Sequence, residues 1–219
     1  MIGTLSFALA LGPALSAGTI RVPEDVPSIQ KAIDTASDGD VVLVAAGIYR
    51  IDQPIVLKGK KIAVRVDGEP GDVTVRMSKT PNDPEKASVF IFEDEIGPET
   101  VLDGFVISDG KGTTITRYGF KYRRGGGIYC RENASPTLVN LTIVENQAEY
   151  GGAIACDKDA APKIVNCGIL RNKALNLGGG IYVADFSSSV VYCENCRIEE
   201  NSAGAGGGIS ARSPVTLTD

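Results

Sequence analysis

The side chains best suited to chemistry lie in one short stretch, Lys111 to Arg124. It gathers three rings, Tyr118, Phe120 and Tyr122, and five cations, Lys111, Arg117, Lys121, Arg123 and Arg124, in a chain whose net charge is -5. Rings stack on the apolar faces of sugars, and guanidinium and ammonium groups pair with uronate carboxylates. The stretch therefore predicts an exposed binding patch of Tyr118, Phe120, Lys121, Tyr122, Arg123 and Arg124, beside turns that carry Arg171 and Lys173. A plainer reading stands next to it: a decorated loop whose rings pack on the wall beneath and whose charges are solvated.

Other chemistry is narrowed by what the chain lacks. It has no His and no Trp, which removes His-dependent triads, imidazole bases and His-ligated metals. No metal or cofactor is expected. A uronate-active lyase or epimerase would need a base, an acid and a neutraliser. Lys121, Arg123, Arg124, Arg171 and Lys173 are the available cations, since a Lys of depressed pKa can act as base. The carboxylates Asp109, Glu145, Glu149 and Asp157 fall near turns and form no recognisable catalytic pair. Cys193-Glu-Asn-Cys196 has the spacing of a redox or zinc motif but has no second pair. The five cysteines, at 130, 156, 167, 193 and 196, read instead as small interior hydrophobes. An acidic balance offers no general basic field for nucleic acid.

The elements that must position this stretch are written in the second half of the chain. Gly125-Gly-Gly-Ile128-Tyr-Cys130 returns as Gly151-Gly-Ala-Ile154-Ala-Cys156, Gly178-Gly-Gly-Ile181-Tyr-Val183 and Gly206-Gly-Gly-Ile209-Ser-Ala211, with the isoleucines 26, 27 and 28 residues apart. Between them recur Leu138-Val-Asn140-Leu-Thr-Ile143-Val-Glu-Asn146, Ile164-Val-Asn166-Cys-Gly-Ile169-Leu-Arg-Asn172 and Cys193-Glu-Asn195-Cys-Arg-Ile198-Glu-Glu-Asn201. A fixed period in the twenties marks a solenoid whose turns bury their apolar faces only against one another. Inside each turn the alternation is two-residue, so the turns are strands and not helices. The pattern predicts three short strands per turn, with Ile128, Cys130, Leu138, Leu141 and Ile143 inward. Asn140, Asn166 and Asn195 belong at a bend needing the left-handed region that Asn tolerates, and Asn146, Asn172 and Asn201 mark the next bend. Turns stacked in register, about 4.8 Å apart, make a right-handed parallel β-helix.

The Gly-Gly-Gly-Ile-Tyr-Cys and Asn-Cys-x-Ile-x-x-Asn phrases resemble the right-handed parallel β-helix repeat proteins of pectin-lyase-like fold. Similar repeats occur in bacterial surface proteins and in the polymorphic outer-membrane proteins of chlamydiae. The resemblance implies an all-β solenoid and no particular activity. Val22 to Tyr49 is similar to the N-terminal cap of pectin methylesterases, but their catalytic phrases find no match further on, nor do those of pectate lyases, polygalacturonases or alginate epimerases.

Ser28 to Ala36 is amphipathic, with Ile29, Ala32, Ile33 and Ala36 on one face. Ser28 suits its start and Gly39 its exit, and a short helix here would plug the first turn. Strands are predicted at 19–22, 54–57, 61–66, 73–76 and 88–92. Gly104 stands where Asn140 recurs and Gly110 where Asn146 does, but 104 to 140 spans 36 residues against 26 for 140 to 166. The excess is the loop from Lys111 to Arg124, and insertions into repeats tend to carry function. The triple glycines lack the Lys and the strand-to-helix context of a phosphate loop and read as close packing at a corner. Asn140-Leu-Thr matches a glycosylation acceptor, but its Asn is a bend residue of the repeat.

Residues 1–17 read as a signal peptide with small residues before the cleavage site, too short to span a bilayer; a buried apolar arm is the alternative. The rest, 18–219, forms one β-helix domain, with 18–50 the cap and first turn and 101–219 the clear repeats. Ser213 to Asp219 repeats the start of another second strand with no capping pattern, which predicts further turns beyond it. Three readings of function follow: an exported or cell-surface β-helix presenting a polysaccharide- or partner-binding surface, a lyase or epimerase acting on acidic glycans, and a passive stalk of a large adhesin.

Overall fold

The computed structural model describes residues 17–157, 159–184 and 190–219. The chain winds as a right-handed parallel β-helix whose turns meet four sheets. One turn shows the order: Thr137–Val139 in an eight-stranded sheet A, Thr142–Val144 in a six-stranded sheet B, Gln147–Tyr150 in a five-stranded sheet D, and Ile154–Cys156 in a six-stranded sheet C. The early strands Thr19–Val22, Ile55–Lys58, Ala63–Asp67, Val73–Met77 and Phe90–Glu93 fall where the alternation places them, within two residues at each end.

Like residues stack on like. Ile55, Phe90, Ile128, Ile154, Ile181 and Ile209 are register partners along sheet C. Leu102, Leu138, Ile164 and Cys193 do the same along sheet A, and Ile107, Ile143, Ile169 and Ile198 along sheet B. The lumen between these rows is apolar and closed to solvent over most of its length. Cys130, Cys156, Cys167 and Cys193 are buried free thiols within it, and Cys196 is half-buried. The hydrogen bond with Cys130 and then burial push the Cys156 thiol up, so it stays protonated.

Three strands per turn were expected and four are present. The fourth, in sheet D, turns only small residues inward: Ala174 is buried, Ala148 is its register partner, and Gly112 approaches Ala148. Such residues leave no apolar alternation to read.

The bend between sheets A and B is as predicted, with φ 53° at Asn140 and Asn166 and 52° at Asn195. The next bend differs. There the left-handed residue is the one before each Asn, namely Glu145, Arg171 and Glu200. Asn146 and Asn172 are buried, and their amides satisfy the bend's backbone. Asn172 Nδ2 donates to the Ile143 and Leu170 carbonyls at 2.9 and 3.0 Å, and its Oδ1 accepts the Asn146 amide at 3.0 Å. A carboxamide suits such a place because it offers two N–H donors beside an acceptor oxygen. Gly110 takes the Asn place one turn earlier, because a Cβ there would lie 1.8 Å from the Gly126 carbonyl oxygen. The glycine runs stack as closely: a Cβ on Gly126 would lie 2.2 Å from the Gly152 carbonyl oxygen.

The helix Ile29–Thr35 covers the first turn with Ile29, Ala32 and Ile33 buried, Ser28 as its N-cap and Ala36, not Gly39, closing its end. Gln30 mimics a neighbouring strand, exchanging hydrogen bonds with the Val56 amide and carbonyl at 2.7 and 3.1 Å. This covers backbone groups that an edge strand would otherwise leave open. Residues 1–16, which hold almost all of the predicted signal peptide, lie outside the described residues.

Candidate functional site

The insertion is an antiparallel hairpin. Gly112–Arg117 pairs with Phe120–Arg124 from Thr113↔Arg124 to Arg117↔Phe120. Its two-residue turn is Tyr118-Gly119, with φ 53° and 80°, the pair of left-handed residues that a type I′ turn needs. Its base joins sheet D at Gly112↔Ala87, Thr113↔Lys86 and Arg124↔Tyr150. The buried hydroxyls of Ser88 and Thr113 meet there at 2.8 Å.

The pleat divides the predicted patch. Phe120, Tyr122 and Arg124 alternate with Lys121 and Arg123, so the rings share one face and those two cations take the other. Tyr118 and Phe120 are 83% and 66% exposed, and the Arg117 guanidinium lies 5.3 Å from the Tyr118 ring centre. Tyr122 is half-buried and meets the Tyr150 ring edge-on at 5.8 Å. Lys121 Nζ is 2.6 Å from Glu85 Oε1, and the Arg123 backbone amide donates to Glu149 at 3.2 Å.

Arg124 departs from expectation: it is 5% exposed and not part of a solvated patch. Its place at the hairpin's base turns it toward the wall, where it forms an ion pair with Asp157, also 5% exposed. Tyr129 donates its hydroxyl to the second Asp157 oxygen at 2.8 Å. The guanidinium lies 5.6 Å from the Tyr150 ring and 5.4 Å from the Tyr182 ring. Burial first, then the Asp157 charge, raises the Tyr129 pKa, which keeps that phenol a hydrogen-bond donor. Arg124 Nε is buried without a hydrogen-bond partner.

Arg171 and Lys173 stand apart from the hairpin. The strand Lys173–Leu177 is separated from Phe120–Arg124 by Gln147–Tyr150. Arg171 sits between Glu145 at 3.4 Å and Glu200 at 3.9 Å, a charge stack along the bend. Lys173 is exposed, in register with Gln147.

Sequence reasoning missed Tyr129, Tyr150 and Tyr182, and it placed Asp157 near a turn without its buried ion pair. Tyr129 and Tyr182 are the outward residues of the Gly-Gly-Gly-Ile-Tyr phrase, and with Ile91, Ala155 and Ala184 they form an apolar strip outside the solenoid. Ile115 of the hairpin and Tyr150 pack on this strip. The clue available in the sequence was an aromatic at a position that alternation turns outward.

The right handed beta helix region family matches residues 92–219, more than half of the chain. No curated protein matches it. Among solved structures, the pectin methylesterase from Aspergillus niger in deglycosylated form aligns over 93% of this chain and 87% of that chain, with 13% identity and a TM-score of 0.36. A likeness that low carries no argument about activity. With the repeat phrases, the stacked parallel sheets and the family match in agreement, the chain belongs to the right-handed β-helix family.

Proposed function

We propose that this is an exported or cell-surface β-helix protein that presents a binding surface for an acidic polysaccharide or a surface partner on the hairpin. One observation carries the reading: two rings, Tyr118 and Phe120, stand exposed on the insertion that breaks the repeat. Arg117, Lys121 and Arg123 lie on the same short strands. Exposed rings cost solvation, and carbohydrate binding supplies the apolar sugar face that offsets it. Export rests on the leader-like composition of residues 1–17.

The pairing of the cations favours binding over catalysis. Of the two lysines offered as bases, Lys121 is held by Glu85 and Lys173 stands apart from the hairpin, whereas a general base must be free to take a proton beside the bound substrate. The test is binding of uronate-containing polysaccharides by calorimetry, for the natural chain and for a chain with Tyr118→Ala and Phe120→Ala. Binding lost in the double variant supports the reading, and equal binding by both overturns the site. Unsaturated uronates appearing in the same mixtures, read by ultraviolet absorbance, would replace it with a lyase.

A further inference from the structure

Sheet C carries two rows on its outer surface. Alternation turns Ile91, Tyr129, Ala155 and Tyr182 outward as one row. The second row is charged and alternates in sign: Lys58, Glu93, Arg131, Asp157. Lys58 pairs in register with Glu93, the Arg131 amide bonds the Phe92 carbonyl, and the Asp157 amide bonds the Cys130 carbonyl. Glu93, 4% exposed, receives Arg131 Nε at 2.7 Å and lies in ion-pair contact with Lys58. The next place belongs to Ala184, whose amide bonds the Cys156 carbonyl and whose side chain has no charge. The cation that answers Asp157 comes instead from the hairpin, as Arg124.

We propose that the hairpin is a lid, latched over the outer face of sheet C by Arg124 and opening as one unit while the solenoid beneath stays folded. Among the described residues its backbone joins the wall toward its base, at Ala87, Lys86, Tyr150, the Glu85 carbonyl, the Glu149 carboxylate and the Ser88 hydroxyl. The parallel ladder beneath does not need it, because Gln147–Tyr150 pairs independently with Lys173–Leu177. Opening exchanges a buried ion pair for two hydrated ions, and desolvation makes such pairs close to neutral in net free energy. The remaining cost is the contact of Ile115 and Tyr122 with the strip and with Tyr150, together with the exposed Lys121–Glu85 pair and the few hydrogen bonds at the base. Lumen rows have no such offset. Elements of this kind open locally with free energies well below that of global unfolding. Opening would bare Tyr129 and Tyr182 beside Asp157.

The lid goes beyond the polysaccharide reading and needs no ligand, so a protein that binds no glycan leaves it standing. Hydrogen exchange of the full chain under native conditions tests it. Amides of Thr114 and Arg123, which bond the wall at the Glu85 carbonyl and the Glu149 carboxylate, are expected to exchange at least about tenfold faster than those of Ile143, Ile164 and Ile169. Arg124→Met should speed the hairpin by a further similar factor without moving the lumen, while Arg124→Lys keeps most of the protection. Hairpin and lumen amides exchanging together, or Arg124→Met accelerating both alike, would overturn the lid. Should Arg124→Met fail to fold, the exchange pattern of the natural chain decides alone.

Discussion

The two faces of sheet C are made by the same three-residue strands and obey different rules. Inward, Ile128, Ile154, Ile181 and Ile209 rest on copies of one another, so one residue type repeated satisfies these four turns. Outward, Tyr129, Arg131 and Asp157 each need a different partner, found on another turn or on the hairpin. Repetition therefore stabilises the lumen, while the outer face depends on particular pairs, which is where a repeat protein becomes individual.

The strongest break of this comparison is on the inner face. Ile154→Asp places an unpaired charge in a dry row and should cost more than about 3 kcal/mol, read as a collapse of the thermal midpoint; an unchanged melt would contradict the lumen assignment. On the outer face, Asp157→Ala leaves Arg124 buried beside Tyr150 and Tyr182. A cost of about 3 kcal/mol is expected if the hairpin stays closed, and less if it opens, so a smaller loss by denaturant titration with fast hairpin exchange sharpens the latch. Asn172→Ala removes an amide that serves two carbonyls and two neighbouring asparagines. About 2 kcal/mol should be lost, and Asn172→Asp should not restore it, since a carboxylate lacks the N–H donors.

A gentler test uses acid. Burial opposes ionisation of Glu93, yet hydrogen bonds from Lys58 and Arg131 outweigh it and hold its pKa below the ordinary carboxylate value. A carboxyl depressed in the folded state contributes stability that is present above its unfolded pKa and lost as pH falls through the folded one. Denaturant midpoints should therefore drop below about pH 4.3, and Glu93→Gln should flatten that part of the profile. The smallest stability effect is at the tip: Tyr118→Ala should change stability by less than about 0.5 kcal/mol while weakening glycan binding. A large loss of stability there would mean that the ring packs and does not present.

The candidate site was half legible. The insertion was visible as ten residues too many between Gly104 and Asn140, and the exposure of Tyr118 and Phe120 follows from their place at a hairpin tip. The burial of Arg124 was not, because its partner lies 33 residues away and is reached only when the next turn stacks beneath. Arg171 was equally ambiguous, since the carboxylates flanking it, Glu145 and Glu200, become neighbours only through the winding of the chain.

The repeat by itself determined the solenoid, its inward rows and the left-handed asparagines. Each of those is a local rule applied again at every turn, so a spacing of 26 to 28 residues is enough to write it. The fourth sheet, the amide ladder of Asn146 and Asn172, and the charge row from Lys58 to Arg124 were decided by tertiary structure. Their parts are small or polar residues whose roles come from contacts between turns, and electrostatic pairing across stacked strands leaves no period in the sequence.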